Sequence, residues 1–395
     1  MLNVLTINGG SSSIRFAVFE PGQPPRRLLQ GKMERMGTEG ADLTVDHADG
    51  RAPTHIKIDI KEHGTASGFL IDWLQSDPLF KTLAGVGHRV VHGMQHTQPE
   101  RVTARLLNEL KGIIPFDPEH LPGEIELIEA VRDWRPDLAQ VACFDTAFHR
   151  SMPLVATQLP IPRRYFARGV QRYGFHGLSY SFLMQELERL GDPAAAQGRV
   201  ILAHLGSGAS LAAVRDGKCI DTSMGFTPTG GLVMGTRTGD LDPGLMSYLA
   251  ITDAMSANQF QTMVNRESGL LGMSQTSADV RDLLDREAGD PRAAQALDLF
   301  CYQAKKWIGS FAAALGGLDT LVFAGGIGEN AATVRKRICD GLDFLGIDIY
   351  ETANSRHAPR ISTGADASVT VRVIRTDEEA VIAASTIRLL ELGPT

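Results

Sequence analysis

The sequence predicts an α/β protein with mixed sheets, split into two domains that reuse one Gly/Ser-turn hairpin. Three observations lead there. An apolar strand, a Gly/Ser turn and a second apolar strand occur twice, as VLTINGGSSSIRFAVF from Val4 to Phe19 and VILAHLGSGASLAAV from Val200 to Val214. β-Branched runs alternate with helical periodicities along the chain, the pattern of α/β folds. The 395 residues exceed one ordinary core and suit two domains of about 150 to 200 residues.

Taken in order, the strands expected are Leu2–Ile7, Ile14–Phe19, Val86–Val91, Gln140–Phe144, Arg199–His204, Ser210–Val214, Thr320–Ala324 and Ser368–Ile374. Between Pro21 and Lys81 the chain is richer in Pro, Gly and polar residues, with an Asp49-Gly50 turn joining Leu43–Val45 to His55–Ile60. That stretch reads as sheet edge and surface with little chemistry. The clearest helix is Arg292–Leu315, where Leu297, Phe300, Cys301, Ala304, Ile308, Phe311, Ala312 and Leu315 form a core-facing stripe that Gly316-Gly317 stops. Trp307 and Phe311 read as packing. Ala331–Leu342 and Asp377–Leu390 are further helices, the latter expected to return to the first domain.

In both hairpins glycine lets the backbone approach a phosphate, while serine hydroxyls and turn amides supply donors. Neither has the Walker spacing or G-x-G-x-x-G, which disfavours P-loop and Rossmann readings. One such turn alone is equally an unliganded β-hairpin; the pair, half a chain apart, points to phosphate.

Hydrophobic content of 43% with 22% charged residues is ordinary for a globular protein. A net charge of −7 gives no basic footprint, which excludes nucleic acid as the expected partner. No apolar run approaches the ~20 residues of a membrane span, and the chain opens on a strand, so the expectation is a cytoplasmic protein without a membrane partner. Cys143, Cys219, Cys301 and Cys339 form no C-x-x-C pair, against a disulfide framework or zinc site.

Polar residues gather beside strand ends and glycines in GHRVVHG (Gly87–Gly93), FDTAFH (Phe144–His149), YGFHG (Tyr173–Gly177) and MGTRTGDLDP (Met234–Pro243). Arg89 and Arg237 stand among small or apolar neighbours and need an anion, either a substrate or a structural carboxylate such as Asp240 or Asp242. His176 is as consistent with a satisfied core histidine as with a catalytic one. His88, His92, His120 and His149 lack metal-ligand spacing. FAGGIGEN (Phe323–Asn330) reads as a strand end and glycine turn before a helix, a ready anion or nucleoside site. Glu378, in RTDEE, opens a helix where an acid also complements the dipole.

These segments, in this order, closely resemble the acetate and propionate kinase family of the sugar kinase, Hsp70 and actin superfamily. The motifs are NGGSSS at Asn8–Ser13, RYGFHG at Arg172–Gly177, DTSMGFTP at Asp221–Pro228 and GTRTGDLDP at Gly235–Pro243. The resemblance runs from Asn8 to about Ile387. It implies a two-domain actin-like ATPase (ribonuclease H-like) fold with a duplicated βββαβαβα core, residues 1–148 with about 379–395 forming the acid and phosphate domain and 149–378 the nucleotide domain.

It further implies reversible Mg²⁺- or Mn²⁺-dependent in-line transfer from ATP to acetate in a cleft between the domains, giving acetyl phosphate and ADP. A homodimer is implied too. Asn8 and Glu378 would hold the metal. Ser11, Ser13 and Arg15 would face the phosphates, as would His204, Leu205, Gly206, Ser207 and Gly208. Asp279, Val280 and Arg281 would line the adenosine end, with Gly326, Ile327, Gly328, Glu329 and Asn330 completing the nucleotide site. Arg89 would bind the carboxylate, with Val91, Phe116, Phe175 and Pro228 around the alkyl group. His176 and Arg237 would stabilise the transferring phosphoryl, and Asp145 occupies the family's acid/base position.

A carboxylate acceptor is already ionised at neutral pH, so Asp145 is expected to orient rather than abstract a proton. Arg15 stands where the family usually has lysine, and Phe116 and Asp117 where it has leucine and histidine. A larger ring favours a short acid, while Asp117 would repel a carboxylate or bind a hydroxyl or ammonium group. The alternatives are a kinase for another small acid, or a non-catalytic nucleotide-binding sensor or scaffold.

Overall fold

The computed structural model describes residues 2–10, 13–34, 41–58, 65–364 and 367–393. The chain forms two compact units, Met1–Ala147 with Asp377–Thr395, and Phe148–Thr376.

Among the described residues the first unit holds a mixed sheet of eight strands. These are β1 Asn3–Gly9, β2 Ser13–Glu20, β3 Arg26–Glu34, β4 Asp42–His47, β5 Thr54–Lys57, β6 Leu83–Val90, β7 Glu100–Arg101 and β8 Ala139–Phe144, in the order β5-β4-β3-β2-β1-β6-β8-β7. β1 pairs antiparallel with β2, placing Asn8 opposite Arg15, and parallel with β6, which pairs parallel with β8. On one face Leu5, Ile7, Phe16 and Val18 pack with Leu70 and Leu74 of helix Ala66–Ser76, and with Val131 of helix Leu121–Trp134. The other face takes helix Glu378–Leu390, which packs on β1, β6 and β8. The two glycines of β6 make room for it: a Cβ on Gly85 would stand 2.4 Å from Leu390, and one on Gly87 2.3 Å from Thr386.

The second unit has β9 Arg199–Leu205, β10 Ala209–Arg215, β11 Lys218–Thr222, β12 Thr320–Ala324 and β13 Thr370–Val373, in the order β11-β10-β9-β12-β13. β11, β10 and β9 are antiparallel, and β12 and β13 continue in parallel. That is the arrangement of β3-β2-β1-β6-β8, so the duplicated hairpins are matching parts of two copies of one sheet. Helix Pro291–Leu315 packs against β9 and β10 and ends at Gly316 with φ of 71°. Helix Gly177–Arg189 contributes Tyr180, Leu183 and Leu187 to a cluster with Val200, Leu202, Ala212 and Val214.

Two expectations need correction. The stretch from Pro21 to Lys81 is more than surface: Leu29 and Met33 of β3, with Phe69, Leu70, Leu74 and Phe80, form much of the first core. Its strands alternate buried and accessible residues, which dilutes their apolar signal. The Ile60 end of the expected strand lies outside the described residues, as does Ser11. In the second unit Gly325–Asn330 is a short helix rather than a glycine turn, followed by a separate helix Ala332–Cys339.

Candidate active site

In the first unit the parallel ends of β1, β6 and β8 gather Asn8, Arg89 and Asp145. Arg89 donates from Nε and Nη2 to Asp145 Oδ2 at 3.0 and 2.6 Å, and from Nη1 to the Gly9 carbonyl at 3.0 Å. Asp145 is fully buried. Burial works against the Arg89 charge, but Asp145, Glu378 and Glu124 outweigh it and hold the guanidinium protonated above the ordinary arginine range. Arg89 therefore has a structural carboxylate, and it is Asp145 rather than Asp240 or Asp242. The latter two accept backbone N–H groups of Gly231 and Gly244 at 2.8 and 2.7 Å.

Asn8 donates from Nδ2 to Glu378 Oε2 at 2.8 Å and to Glu379 Oε1 at 3.2 Å. Glu379 is raised from the usual carboxylate range by burial and then by Glu378, with Arg15 opposing. Two crowded carboxylates suit a hard divalent cation, with the Asn8 amide nitrogen now taking their oxygens. Among the described residues no group of three or more His, Cys, Asp and Glu is placed to hold a metal.

Val91 is buried at the end of β6, and its N–H donates to Glu124 Oε2 at 3.0 Å. Phe116 lies with its ring 5.8 Å from that of His92. Asp117 is buried, and both its oxygens lie near His120 Nδ1, at 2.9 and 3.2 Å. Asp117 thus has a hydrogen-bond partner in His120.

In the second unit the hairpin β9–β10 carries the loop His204–Gly208, closed by Gly206 N–H to the Gly208 carbonyl at 3.0 Å. His176 begins helix Gly177–Arg189 in a left-handed conformation, φ 59°, uncommon outside glycine and often found at functional sites. Its Nδ1 lies 2.8 Å from Ser210 Oγ, which also meets Tyr180 Oη, and its ring stacks on His204 at 4.3 Å. Arg237 Nη1 donates to the Pro228 carbonyl at 3.1 Å. A Cβ built on Gly208 would stand 3.4 Å from His176 Nε2 and 3.6 Å from Arg237 Nη1. His176 and Arg237, both expected at a phosphoryl group, therefore converge on Gly208 of the second hairpin loop.

Neighbouring backbone completes the group. Gly235 N–H donates to the Ser207 carbonyl at 3.0 Å, and a Cβ on Gly235 would lie 3.3 Å from the Ala278 carbonyl. Asp279 caps the helix Val280–Arg286 and pairs with Arg281. Glu329 Oε1 accepts from Gly325 N and Thr376 N at 3.0 and 3.1 Å, tying the Gly326–Asn330 segment to the end of β13.

Of the expected residues, Asn8, Ser13, Arg15, Arg89, Val91, Phe116, Asp145 and Glu378 belong to the first unit. Phe175, His176, His204–Gly208, Pro228, Arg237, Asp279–Arg281 and Gly326–Asn330 belong to the second. Phe175 is buried, and its carbonyl lies 3.0 Å from His149 Nε2. Several supports carried no local signal. Arg335 is fully buried and donates to the carbonyls of Gly328 and Glu329 at 2.8 and 3.0 Å. Glu124 lies under the Arg89 strand, and Ser210 orients His176.

The fold is that of an actin-like ATPase, and the protein is a kinase of the class that phosphorylates a carboxylate. The chain belongs to the acetokinase family, which it matches over residues 3–384. It is 42% identical over 398 residues to an acetate kinase of Rhodopseudomonas palustris, covering 99% of each chain. It is 41% identical to a propionate kinase of Citrobacter rodentium, covering 98% of this chain and 96% of that one. Its structure is similar to that of a propionate kinase from Francisella tularensis, with a TM-score of 0.90, 35% identity and coverage of 98% and 100%.

Proposed function

We propose that the protein transfers the γ-phosphoryl group of ATP reversibly to acetate, giving acetyl phosphate and ADP, with propionate as a secondary acid. The observation that carries this reading is the approach of His176 Nε2 and Arg237 Nη1 to Gly208. Phosphoryl transfer needs alignment and cancellation of charge on the equatorial oxygens more than covalent help. His176 and Arg237 supply that cancellation, and the amides of His204–Gly208 cradle the phosphates. Asp279–Arg281 and Gly326–Asn330 hold the nucleoside.

Arg89 binds the acid's carboxylate, with Val91 and Phe116 of the same unit beside its alkyl group. Asp145 fixes the guanidinium plane, so the acceptor oxygen attacks in line with the leaving ADP and needs no general base. Asn8 and Glu378 would hold Mg²⁺, which when bound neutralises phosphate charge. The Asp117–His120 contact weakens the case for Asp117 as a hydroxyl or ammonium site and favours a short apolar acid. Four free, buried cysteines suit a reducing compartment such as the cytoplasm.

A homodimer completes the reading. Helix Gly244–Thr252 buries none of its residues within the chain, and Tyr248 and Ile251 are 61% and 84% exposed. An exposed apolar helix of this kind suits a second copy of the chain. Ile251→Glu is expected to shift the sedimentation of the protein from dimer to monomer; an unchanged dimer would place the interface elsewhere.

The test of function is acyl phosphate formation, trapped as hydroxamate with Mg²⁺ and ATP, across acetate, propionate, butyrate, glycolate and lactate. Acetate is expected to give the highest kcat/KM. Turnover confined to a hydroxy acid would overturn the acetate assignment, and tight ATP binding without turnover would favour a sensor.

A further inference from the structure

Glu124 has no part in the proposed chemistry, yet it is a buried acid beside Arg89 and Val91. A first-turn glutamate ordinarily complements the helix dipole from the surface. This one, in helix Leu121–Trp134, is only 4% exposed. Its Oε2 accepts the Val91 N–H at 3.0 Å, and its Cγ would lie 3.7 Å from a Cβ on Gly9, whose carbonyl accepts from Arg89. Its Oε1 is buried without a hydrogen-bond partner among the described residues. A lone buried oxygen of that kind is tolerable on a neutral carboxyl and costly on an anion.

We infer that Glu124 is a positioning residue of the acid half-site: it pins the backbone at Val91, fixing the strand end that presents Arg89 and Val91 to the carboxylic acid. The inference rests on the reading that Arg89 binds the acid. The charged groups facing Glu124 are Arg89 of β6, Asp145 after β8 and Asp117 ahead of its own helix. Burial pushes Glu124 up to about 8, against the pull of Arg89 and the Val91 hydrogen bond. Below that pH the carboxyl is neutral, leaving Asp145 as the charged partner of Arg89. Above it, a second carboxylate competes with the substrate for the same guanidinium.

The experiment is steady-state kinetics of the full-length protein with acetate and ATP, comparing Glu124→Leu, Glu124→Gln and Arg89→Ala. Glu124→Leu leaves the Val91 N–H unpaired and is expected to raise the acetate KM by about tenfold while the ATP KM holds. Glu124→Gln keeps an acceptor for Val91 and is expected to restore most of that loss. It is also expected to abolish a rise of acetate KM above pH ~8 that is expected of the wild type. An acetate KM unmoved in Glu124→Leu, or an alkaline rise that persists in Glu124→Gln, overturns the inference. If Glu124→Leu does not fold, the Glu124→Gln profile decides alone. Arg89→Ala separates the two readings: an acetate KM unmoved there removes Arg89 as the acid's ligand, whatever Glu124 does.

Discussion

At the scale of single residues, Asp145 decides how the proposed chemistry is read. A fully buried carboxylate that accepts two N–H groups of Arg89 through one oxygen is engaged in holding that arginine. Asp145→Asn keeps the shape and removes the charge, so Arg89 loses its anchor and tilts from the acceptor. We expect kcat to fall by about 100-fold, with the shape of the pH–rate profile preserved. Loss of an ionisation from that profile, measured from about pH 6 to 9, would make Asp145 a proton acceptor instead. Arg89 and Asp145 were legible in the sequence because each stands in a short polar motif at the end of an apolar strand. Glu124 and Arg335 were not, since each sits in an ordinary helical pattern and gains its partners only through tertiary packing.

At the scale of elements, the two hairpins were the most legible part of the chain. Strand, Gly/Ser turn and strand constrain the backbone locally, and both copies fold as antiparallel pairs. The segment Gly325–Asn330 was misread because three glycines in six residues oppose helix on propensity alone. Tertiary contacts override that preference: Glu329 takes the Gly325 N–H, and Arg335 takes the carbonyls of Gly328 and Glu329. Gly325 and Gly208 answer alanine differently. At Gly325, φ is +77° and a Cβ would stand 2.7 Å from the Leu205 carbonyl, so Gly325→Ala is expected to destabilise the second unit by about 2 kcal/mol or more. At Gly208 the nearest atoms, 3.4 and 3.6 Å away, are at ordinary contact distance, so Gly208→Ala should fold normally. Its methyl nevertheless fills the space before His176 and Arg237, and ATP affinity is expected to fall by about tenfold or more. Calorimetry and nucleotide titration of the two variants separate these effects, and equal losses of stability in both would contradict the distinction.

At the scale of the whole molecule, buried titratable groups set a narrow pH range of greatest stability. His88 and His92 in the first unit and His149 in the second are each pushed down to about 4, in every case chiefly by burial. Between that value and the ordinary 6.5 the unfolded chain takes up protons that the folded chain refuses. Stability from these histidines is therefore fully present above 6.5 and lost as pH falls towards 4, by about 3 kcal/mol for each group. Glu124 acts in the opposite direction. Its folded value near 8 lies above its unfolded one, so its contribution is fully present below about 4.5 and declines as pH rises to 8. The sum predicts an apparent Tm that rises from pH 4 to about 6.5 and declines towards pH 8. Glu124→Gln should reduce the alkaline decline, leaving the part due to Glu379, without altering the acid limb, because the histidines remain. A wild-type Tm that climbs steadily through pH 8, or an alkaline decline equal in the variant, would show that Glu124 is ionised in the fold. That outcome would also remove the physical basis for its effect on Arg89.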